Sequence, residues 1–268
     1  MNNKLGIYEK AFSIESSWEY RFDTAKKSGF DFIEISVDKD RLNKLDYTDE
    51  EIKNLLSLSK KFEMPFETMT LSANRYFPIG DKEIREKGIE LIKKAIILAF
   101  KLNVKVIQLT AYDVYQKEST DETKQLYKEG ILEALKFNKD YKVTLAIEVL
   151  EDVPHFNTSE KLMKFINEIN DPYLQEYADN GNLAYNGYDA VKDLSYCINK
   201  LAAVHIKDAV LHNEHNVEYG KGVVDFQGVF DYLKANNYQG YLVSECWHEK
   251  YYQPDLQFIS SFIRRYMK

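Results

Sequence analysis

A regular alternation of short apolar segments with longer amphipathic ones is the feature that most limits how this chain can fold. Strand-like segments lie at 5–9, 30–37, 65–72, 104–111, 142–150, 174–179, 201–208 and 240–247. Each is followed by a segment with the apolar spacing of a helix that packs one face on a core. Eight strand–helix units in 268 residues fit a (β/α)8 TIM barrel, whose usual length is about 250 residues. The sequence therefore predicts this α/β fold as a single domain over residues 1–268.

A doubly wound open sheet is the main alternative fold. Such sheets commonly carry a glycine-rich turn after a strand, and no strand segment here is followed by a dinucleotide or P-loop pattern. The predicted helices also have the expected end signals. Thr48 and Glu51 form a capping-box pair, Gly29 suits the position just after a helix, and Asp225 suits a helix N-cap. These signals favour the barrel.

Composition excludes several classes of function. The chain has 36 basic and 43 acidic residues, a net charge of −7, and no basic block, which argues against nucleic-acid binding. No apolar run reaches the 18 or so residues needed to span a bilayer, and the N-terminus lacks a signal-like apolar segment. The two cysteines, Cys197 and Cys246, have no CxxC spacing. We therefore expect a soluble, cytoplasmic protein without a membrane partner.

Four chemically active side chains lie at the ends of consecutive predicted strands: Glu148 in AIEV, Asp179 in YADN, His205 in AVHIKD and Glu245 in VSECW. In TIM barrels the active site forms at these carboxyl ends. Unpaired carboxylates in such apolar surroundings would cost several kcal/mol, and a divalent cation removes that cost. Three oxygen ligands and one nitrogen suit Mn²⁺, Zn²⁺, Co²⁺ or Mg²⁺. The alternative is that the glutamates pair with neighbouring Arg or Lys residues.

Further polar residues on the same rim are candidates for substrate binding. Glu34 and Gln108 lie near the ends of the second and fourth strands, Lys207 shares a strand face with His205, and Trp247 shares one with Glu245. Lys207 could neutralise an oxyanion, and Trp247 could exclude water from the pocket. Asp208 is expected to begin a loop or to orient a neighbour, and Cys246 to pack against the outer helices.

Two loops could meet an anionic group of a substrate. One places Ser72 and Arg75 after the third strand. The other places Lys221, between Gly220 and Gly222, before the helix that Asp225 caps. Free backbone N–H groups next to a helix N-terminus form a plausible phosphate cradle. Surface ion pairs are the alternative for both basic residues. The HNEH segment, 212–215, lies in a polar loop and is expected to be solvated.

Several of these segments together resemble a known family. GIYEKA, GFDFIEISVD, LSANRYFPIG, VIQLTAYDVY, AIEV, ADNGNL, AVHIKD and GKGVVDF resemble the sugar-phosphate isomerase/epimerase barrels, and among them the L-ribulose-5-phosphate (L-xylulose-5-phosphate) 3-epimerases of ascorbate utilisation. The resemblance implies one divalent metal bound by Glu148, Asp179, His205 and Glu245, with the two glutamates as the acid/base pair. It also implies a pentulose-phosphate substrate and a homodimer or larger oligomer.

The chain departs from that family pattern at three positions. Asn74 and Tyr76 stand where a His and an Arg are common, and Lys221 stands where a Glu is common. The first two changes thin the basic cluster, so phosphate recognition and the identity of the sugar stay open.

The ligand set itself suggests a mechanism. A ketose chelated through O2 and O3 has an acidified C3 proton, so one glutamate can remove it to give a cis-enediolate and the other can return a proton to the opposite face. Alternatives are an aldose–ketose isomerase of the hexulose-6-phosphate type and a 3-epimerase of unphosphorylated ketoses. A metal-dependent endonuclease needs more rim histidines than this chain offers, with five in all. A catalytically inactive sugar- or protein-binding barrel is the remaining alternative.

Overall fold

The eight predicted strands form one closed parallel barrel. A computed structural model of the chain describes residues 1–150, 152–213, 217–249 and 252–268. Each strand pairs in parallel with the next, and the last pairs with the first. The strands are β1 (Leu5–Tyr8), β2 (Phe32–Ser36), β3 (Phe66–Thr70), β4 (Val106–Thr110), β5 (Thr144–Glu148), β6 (Leu174–Asp179), β7 (Leu201–Ile206) and β8 (Tyr241–Ser244). The TIM-barrel prediction is confirmed, and all eight strands lie within the predicted segments.

The helices surround this barrel. In the described residues they are α1 (Trp18–Lys27), α2 (Asp49–Phe62), α3 (Arg85–Leu102), α4 (Asp121–Asn138), α5 (Ser159–Ile169), α6 (Asn180–Tyr185), α7 (Ala190–Cys197), α8 (Phe226–Ala235) and α9 (Leu256–Met267). All but one lie within predicted helical segments. The exception is α6, which begins directly after β6 and was not predicted. None of the described helices is long and apolar enough to cross a bilayer.

The predicted helix ends are present. The Thr48 side chain accepts a hydrogen bond from the Glu51 amide, and the Glu51 carboxylate accepts one from the Thr48 amide at 2.7 Å. Gly29 follows α1 with a φ of +88°, a conformation that favours glycine. The Asp225 carboxylate caps α8 by accepting from the Gly228 amide at 2.9 Å.

Two apolar layers hold the barrel together. The outer layer lies between strands and helices, and it includes Val204, Ile206 and Cys246, as predicted from strand parity. The inner layer fills the barrel and includes Tyr8, Phe32 and Tyr177, among other residues. Because this inner layer blocks the barrel interior, polar side chains are accommodated above it, at the carboxyl ends of the strands.

Candidate active site

The four residues proposed as metal ligands come together at the carboxyl ends of β5 to β8. Glu148 and Asp179 end β5 and β6, His205 lies near the end of β7, and Glu245 follows β8. One potential ligand atom from each lies within 4.8 Å of all the others, and all four residues are buried. Nδ1 of His205 lies 2.8 Å from Glu148 Oε1, 3.7 Å from Glu245 Oε2 and 3.8 Å from Asp179 Oδ2. The neighbouring strand ends therefore bring together one nitrogen and three carboxylates.

Lys207 lies beside this cluster. Its ammonium nitrogen is 2.9 Å from Glu245 Oε2 and 3.0 Å from Asp179 Oδ2, and 5.3 Å from the centre of the Trp247 ring. The residue is buried and is absent from the pocket lining, rather than exposed on the rim. Gly181 makes room for the lysine stem, because a Cβ at that position would lie 2.3 Å from Lys207 Cγ. The lysine side chain is thus confined to the site.

The opposite edge of the His205 ring faces Glu34. Nε2 of His205 lies 2.8 Å from Glu34 Oε2, while Glu34 Oε1 accepts hydrogen bonds from the hydroxyls of Tyr177 at 2.6 Å and Thr68 at 2.7 Å. Glu34 is fully buried. The sequence predicted it as a substrate ligand; the structure places it beneath the pocket floor, with both oxygens engaged by protein groups.

Glu148 is oriented by a second predicted residue. The Gln108 side-chain amide donates to Glu148 Oε2 at 2.6 Å, across the adjacent strands β4 and β5. Glu148 Oε1 faces His205, so both carboxylate oxygens have protein neighbours. Gln108 also lines the pocket, so it can contact a ligand as well as orient the glutamate.

Burial and charge perturb the titration of these groups. Burial raises the pKa of the Asp179 carboxyl well above its ordinary value, although the Lys207 ammonium opposes this. Burial acts in the same direction on Glu245, but Lys207 and His205 outweigh it and hold the pKa of Glu245 below its ordinary value. For His205, burial favours the neutral ring, yet the carboxylates of Glu245 and Glu34 raise its pKa well above 6.5. Perturbed groups of this kind are typical of functional sites.

The donor set fits a divalent cation. Asp179 Oδ2 is buried and accepts no hydrogen bond from the described residues, although the Lys207 ammonium is close to it. Three carboxylates and an imidazole in one buried cluster are ligands that Zn²⁺, Mn²⁺ and Co²⁺ accept, and no thiolate is present among them. The residues present therefore match a metal-binding site.

A pocket of about 220 Å³ opens above the cluster. Glu148, His205 and Glu245 form its floor, and four predicted residues, Ser72, Arg75, Gln108 and Trp247, contribute to its lining. Three residues predicted to bind substrate lie outside this lining: Glu34 is buried behind His205, Lys207 is buried beside Asp179 and Glu245, and Lys221 is on the surface. The structure thus brings together the four proposed metal ligands and most of the predicted pocket residues.

Arg75 is the notable cation of the pocket wall. Its guanidinium carbon lies 5.4 Å from the centre of the Tyr112 ring, and its Nε is buried without a hydrogen-bond partner among the described residues. Neighbouring Asn74 has a structural role, since its side-chain oxygen accepts from the Thr110 amide at 3.1 Å and the Thr110 hydroxyl at 2.8 Å. Tyr76 lines the pocket and is 42% exposed.

Sequence reasoning missed Lys10 and Asp38, which also line the pocket. The Lys10 ammonium lies 3.1 Å from Asp38 Oδ2, which also accepts from Arg41 at 2.7 Å. Asp38 and Arg41 adjoin a buried ion network around Glu9, in which Arg21 contacts the Glu9 carboxylate at 2.7 Å. Lys10 comes shortly after the apolar strand β1, much as Glu148 comes at the end of β5. This position next to a strand end is the sequence signal that could have identified Lys10.

The predicted phosphate cradle around Lys221 is closed by the protein itself. The amides of Gly220 and Gly222 both donate to Asp208 Oδ2 at 2.8 Å, so they do not face a ligand. A Cβ on Gly222 would lie 2.2 Å from Asp208 Oδ1. Asp208 thus holds the loop before α8, which agrees with the loop role expected for it. In the HNEH segment His212 is exposed, and residues 214–216 lie outside the described part of the chain.

Comparison with known proteins agrees with the barrel fold. The model of the xylose isomerase-like TIM barrel family matches residues 22–262. The chain is 39% identical over 249 residues to L-ribulose-5-phosphate 3-epimerase UlaE of Escherichia coli (strain SMS-3-5 / SECEC), covering 91% of this chain and 87% of that protein. The Escherichia fergusonii protein of the same name matches to the same extent.

Solved structures with the same fold include several sugar epimerases. A structure of L-ribulose 3-epimerase has a TM-score of 0.84 at 17% identity and covers 99% of this chain and 94% of its own. The apo structure of 3-keto-D-glucoside 4-epimerase YcjR from E. coli has a TM-score of 0.80 at 21% identity. The match covers 98% of this chain and 100% of that chain. At these identities the likeness shows the fold.

Proposed function

We propose, since the chain belongs to the xylose isomerase-like TIM barrel family, that it is a metal-dependent 3-epimerase interconverting L-xylulose 5-phosphate and L-ribulose 5-phosphate. The observation that carries the proposal is the buried cluster of Glu148, Asp179, His205 and Glu245, with two of its carboxylates lining a pocket. The relatives at 39% identity support the choice of sugar phosphate.

One divalent cation would be held by all four residues of the cluster. When bound, it polarises the ketone and stabilises negative charge on the neighbouring oxygens, which acidifies the C3 proton. Zn²⁺, Mn²⁺, Co²⁺ and Mg²⁺ are the candidate ions. Loading the metal-free protein with each ion in turn, and measuring affinity and turnover, identifies the one the site prefers.

Glu148 and Glu245 are the acid/base pair in this proposal. They come from β5 and β8, which are not adjacent in the barrel, so they approach the pocket from different strands. Inversion at a carbon requires one group to remove the proton from one face and another to return a proton to the opposite face. Lys207 holds Glu245 through an ion pair, and Gln108 holds Glu148 through its amide.

Arg75 and Ser72 are the proposed contacts for the phosphate, and Lys10 lines the same pocket. Arg75 supports this assignment because it lines the pocket, and Arg binds phosphate well through its planar fork of donors. Lys221 is not supported in this role, since it lies at the surface.

Glu148→Gln and Glu245→Gln test the two-base scheme. With the metal site saturated, each variant is expected to lose about 10²–10⁴-fold in kcat on L-ribulose 5-phosphate, the usual contribution of a positioned acid or base. Glu129→Gln, at an exposed position of α4, is the control. Near-normal turnover in either active-site variant contradicts the scheme.

Solvent deuterium separates this function from its alternatives. In D2O a 3-epimerase places label at C3, whereas an aldose–ketose isomerase places it at C1 or C2. A panel of phosphorylated and unphosphorylated pentuloses separates a sugar-phosphate enzyme from a free-ketose epimerase. The cytoplasmic location and the homo-oligomeric assembly stay predictions, and light scattering of the purified protein tests the second.

A further inference from the structure

We infer that Glu34 is a positioning residue that fixes the tautomer of His205, keeping a proton on Nε2 so that Nδ1 can bind the metal. The inference rests on the metal site of the proposed function and assigns to Glu34 a role other than substrate binding. It concerns metal affinity, and it can be tested without any sugar.

The geometry around the imidazole distinguishes its two nitrogens. Nδ1 faces the carboxylates of Glu148, Asp179 and Glu245, at 2.8 to 3.8 Å. Nε2 points the other way, to Glu34 Oε2 at 2.8 Å. Only Nδ1 is therefore directed at the place where the ligand atoms converge, and its lone pair must be free when a cation is bound. The neutral ring then carries its proton on Nε2.

Glu34 is suited to hold that proton in place. Its Oε1 already accepts from the Tyr177 and Thr68 hydroxyls, so Oε2 is left to accept from the ring. The Tyr177 ring also packs against the imidazole, with 4.4 Å between centroids. Glu34, His205 and Tyr177 are all at most 1% exposed, so water does not compete for these contacts. A carboxylate behind a metal-binding histidine orients the ring and increases its basicity.

Substitution of Glu34 by glutamine is expected to reverse the tautomer of His205. The hydroxyls of Tyr177 and Thr68 need an acceptor, so the carboxamide oxygen faces them and its NH2 faces His205. An NH2 group requires a lone pair on Nε2, which moves the ring proton to Nδ1 and blocks the metal-binding atom. The expected loss in metal affinity is about 10- to 100-fold, the usual effect of removing such a partner.

The control is a second fully buried strand glutamate that has no contact with the cluster. Glu176 lies on β6, and its carboxylate contacts Ser159 in the layer between barrel and helices. Glu176→Gln and Glu34→Gln therefore make the same substitution at similar burial. Zinc affinity, measured by competition with a chromogenic chelator, is expected to fall for Glu34→Gln and to stay within about twofold of the native value for Glu176→Gln.

The tautomer is read directly by ¹⁵N NMR of the zinc-loaded native protein labelled at its five histidines. The expected spectrum shows His205 with zinc on Nδ1 and a slowly exchanging proton on Nε2. Zinc on Nε2 overturns the inference, and this measurement does not depend on the variant folding. Unchanged zinc affinity in Glu34→Gln, or an equal loss in Glu176→Gln, also overturns it. If the zinc affinities and the NMR spectrum are as expected but the protein does not turn over L-ribulose 5-phosphate, only the proposed substrate is refuted.

Discussion

Glu176 predicts an unusual pH dependence of stability. It is fully buried, and its Oε1 contacts the Ser159 hydroxyl, which also lies 2.6 Å from Asp193 Oδ2. A hydroxyl has one proton and cannot donate to two carboxylates at once. Asp193 has further donors, because both its oxygens face the Ser159 amide at 3.1 and 2.9 Å. Glu176 is thus the carboxyl that takes up a proton in the folded protein.

The size of this pH effect on stability follows from the burial of Glu176. Burial raises the pKa of Glu176 from 4.5 to about 8, with the Asp193 charge acting in the same direction. Between these values the folded protein binds more protons than the unfolded chain, so stability decreases as pH rises. This difference in pKa lowers the free energy of unfolding by about 5 kcal/mol above pH 8, relative to its value at low pH. At pH 7 the free energy of unfolding is already lower by about 3 kcal/mol. Below about pH 4.5 this loss is absent.

Glu176→Gln removes the titrating group and keeps the shape of the side chain. Its NH2 can donate to the Ser159 hydroxyl, which then donates to Asp193, so we expect the variant to be more stable than the native protein at pH 8 by a few kcal/mol. Urea unfolding at a series of pH values from 5 to 8, in the same buffer ions, measures the slope. Glu129→Gln, on the protein surface, should leave the slope unchanged. A native protein whose stability is flat or rises over this range refutes the reasoning.

Three further substitutions test the site and its supports. Gly181→Ala should displace Lys207, whose Cγ would lie 2.3 Å from the new Cβ, and lower kcat by about 10²-fold without unfolding the protein, as steady-state kinetics and circular dichroism will show. Arg75→Met should raise KM for the phosphorylated ketose by about 10- to 100-fold and leave KM for the free ketose nearly unchanged. Asp208→Asn should lower the free energy of unfolding by about 1–3 kcal/mol, measured in urea, because it weakens the carboxylate contacts with Gly220 and Gly222.

The barrel and the clustering of the four proposed metal ligands could be predicted because their signals are local. A buried strand needs an apolar run, and a carboxylate or histidine at its end stands out against that run, as Glu148, His205 and Glu245 do. The closed barrel then brings those side chains together. Strand order and parity were sufficient for this part of the site.

Orientation relative to the pocket could not be predicted in the same way. Glu34 is the middle residue of β2, whereas Glu148 is the last residue of β5, so Glu34 lies behind His205 and beside Tyr177 and Thr68 of other strands. Lys10 follows an apolar strand in the same manner as the predicted residues. Its ammonium pairs with Asp38, which is 28 residues away in the sequence. The spacing of residues along the chain does not reveal this contact.

The Asp208 loop bears on where a phosphate can bind. Glycines before a helix predict a phosphate cradle only if their amides are free, and here Asp208, 12 and 14 residues earlier, accepts from both of them. A phosphate at this loop would have to displace a buried carboxylate and meet its charge. The pocket offers Arg75 and Lys10, together with Ser72, in its lining. For the proposed sugar-phosphate substrate, electrostatics therefore favours binding of the phosphate at the β1 and β3 side of the pocket, with the reacting carbon next to Glu148 and Glu245.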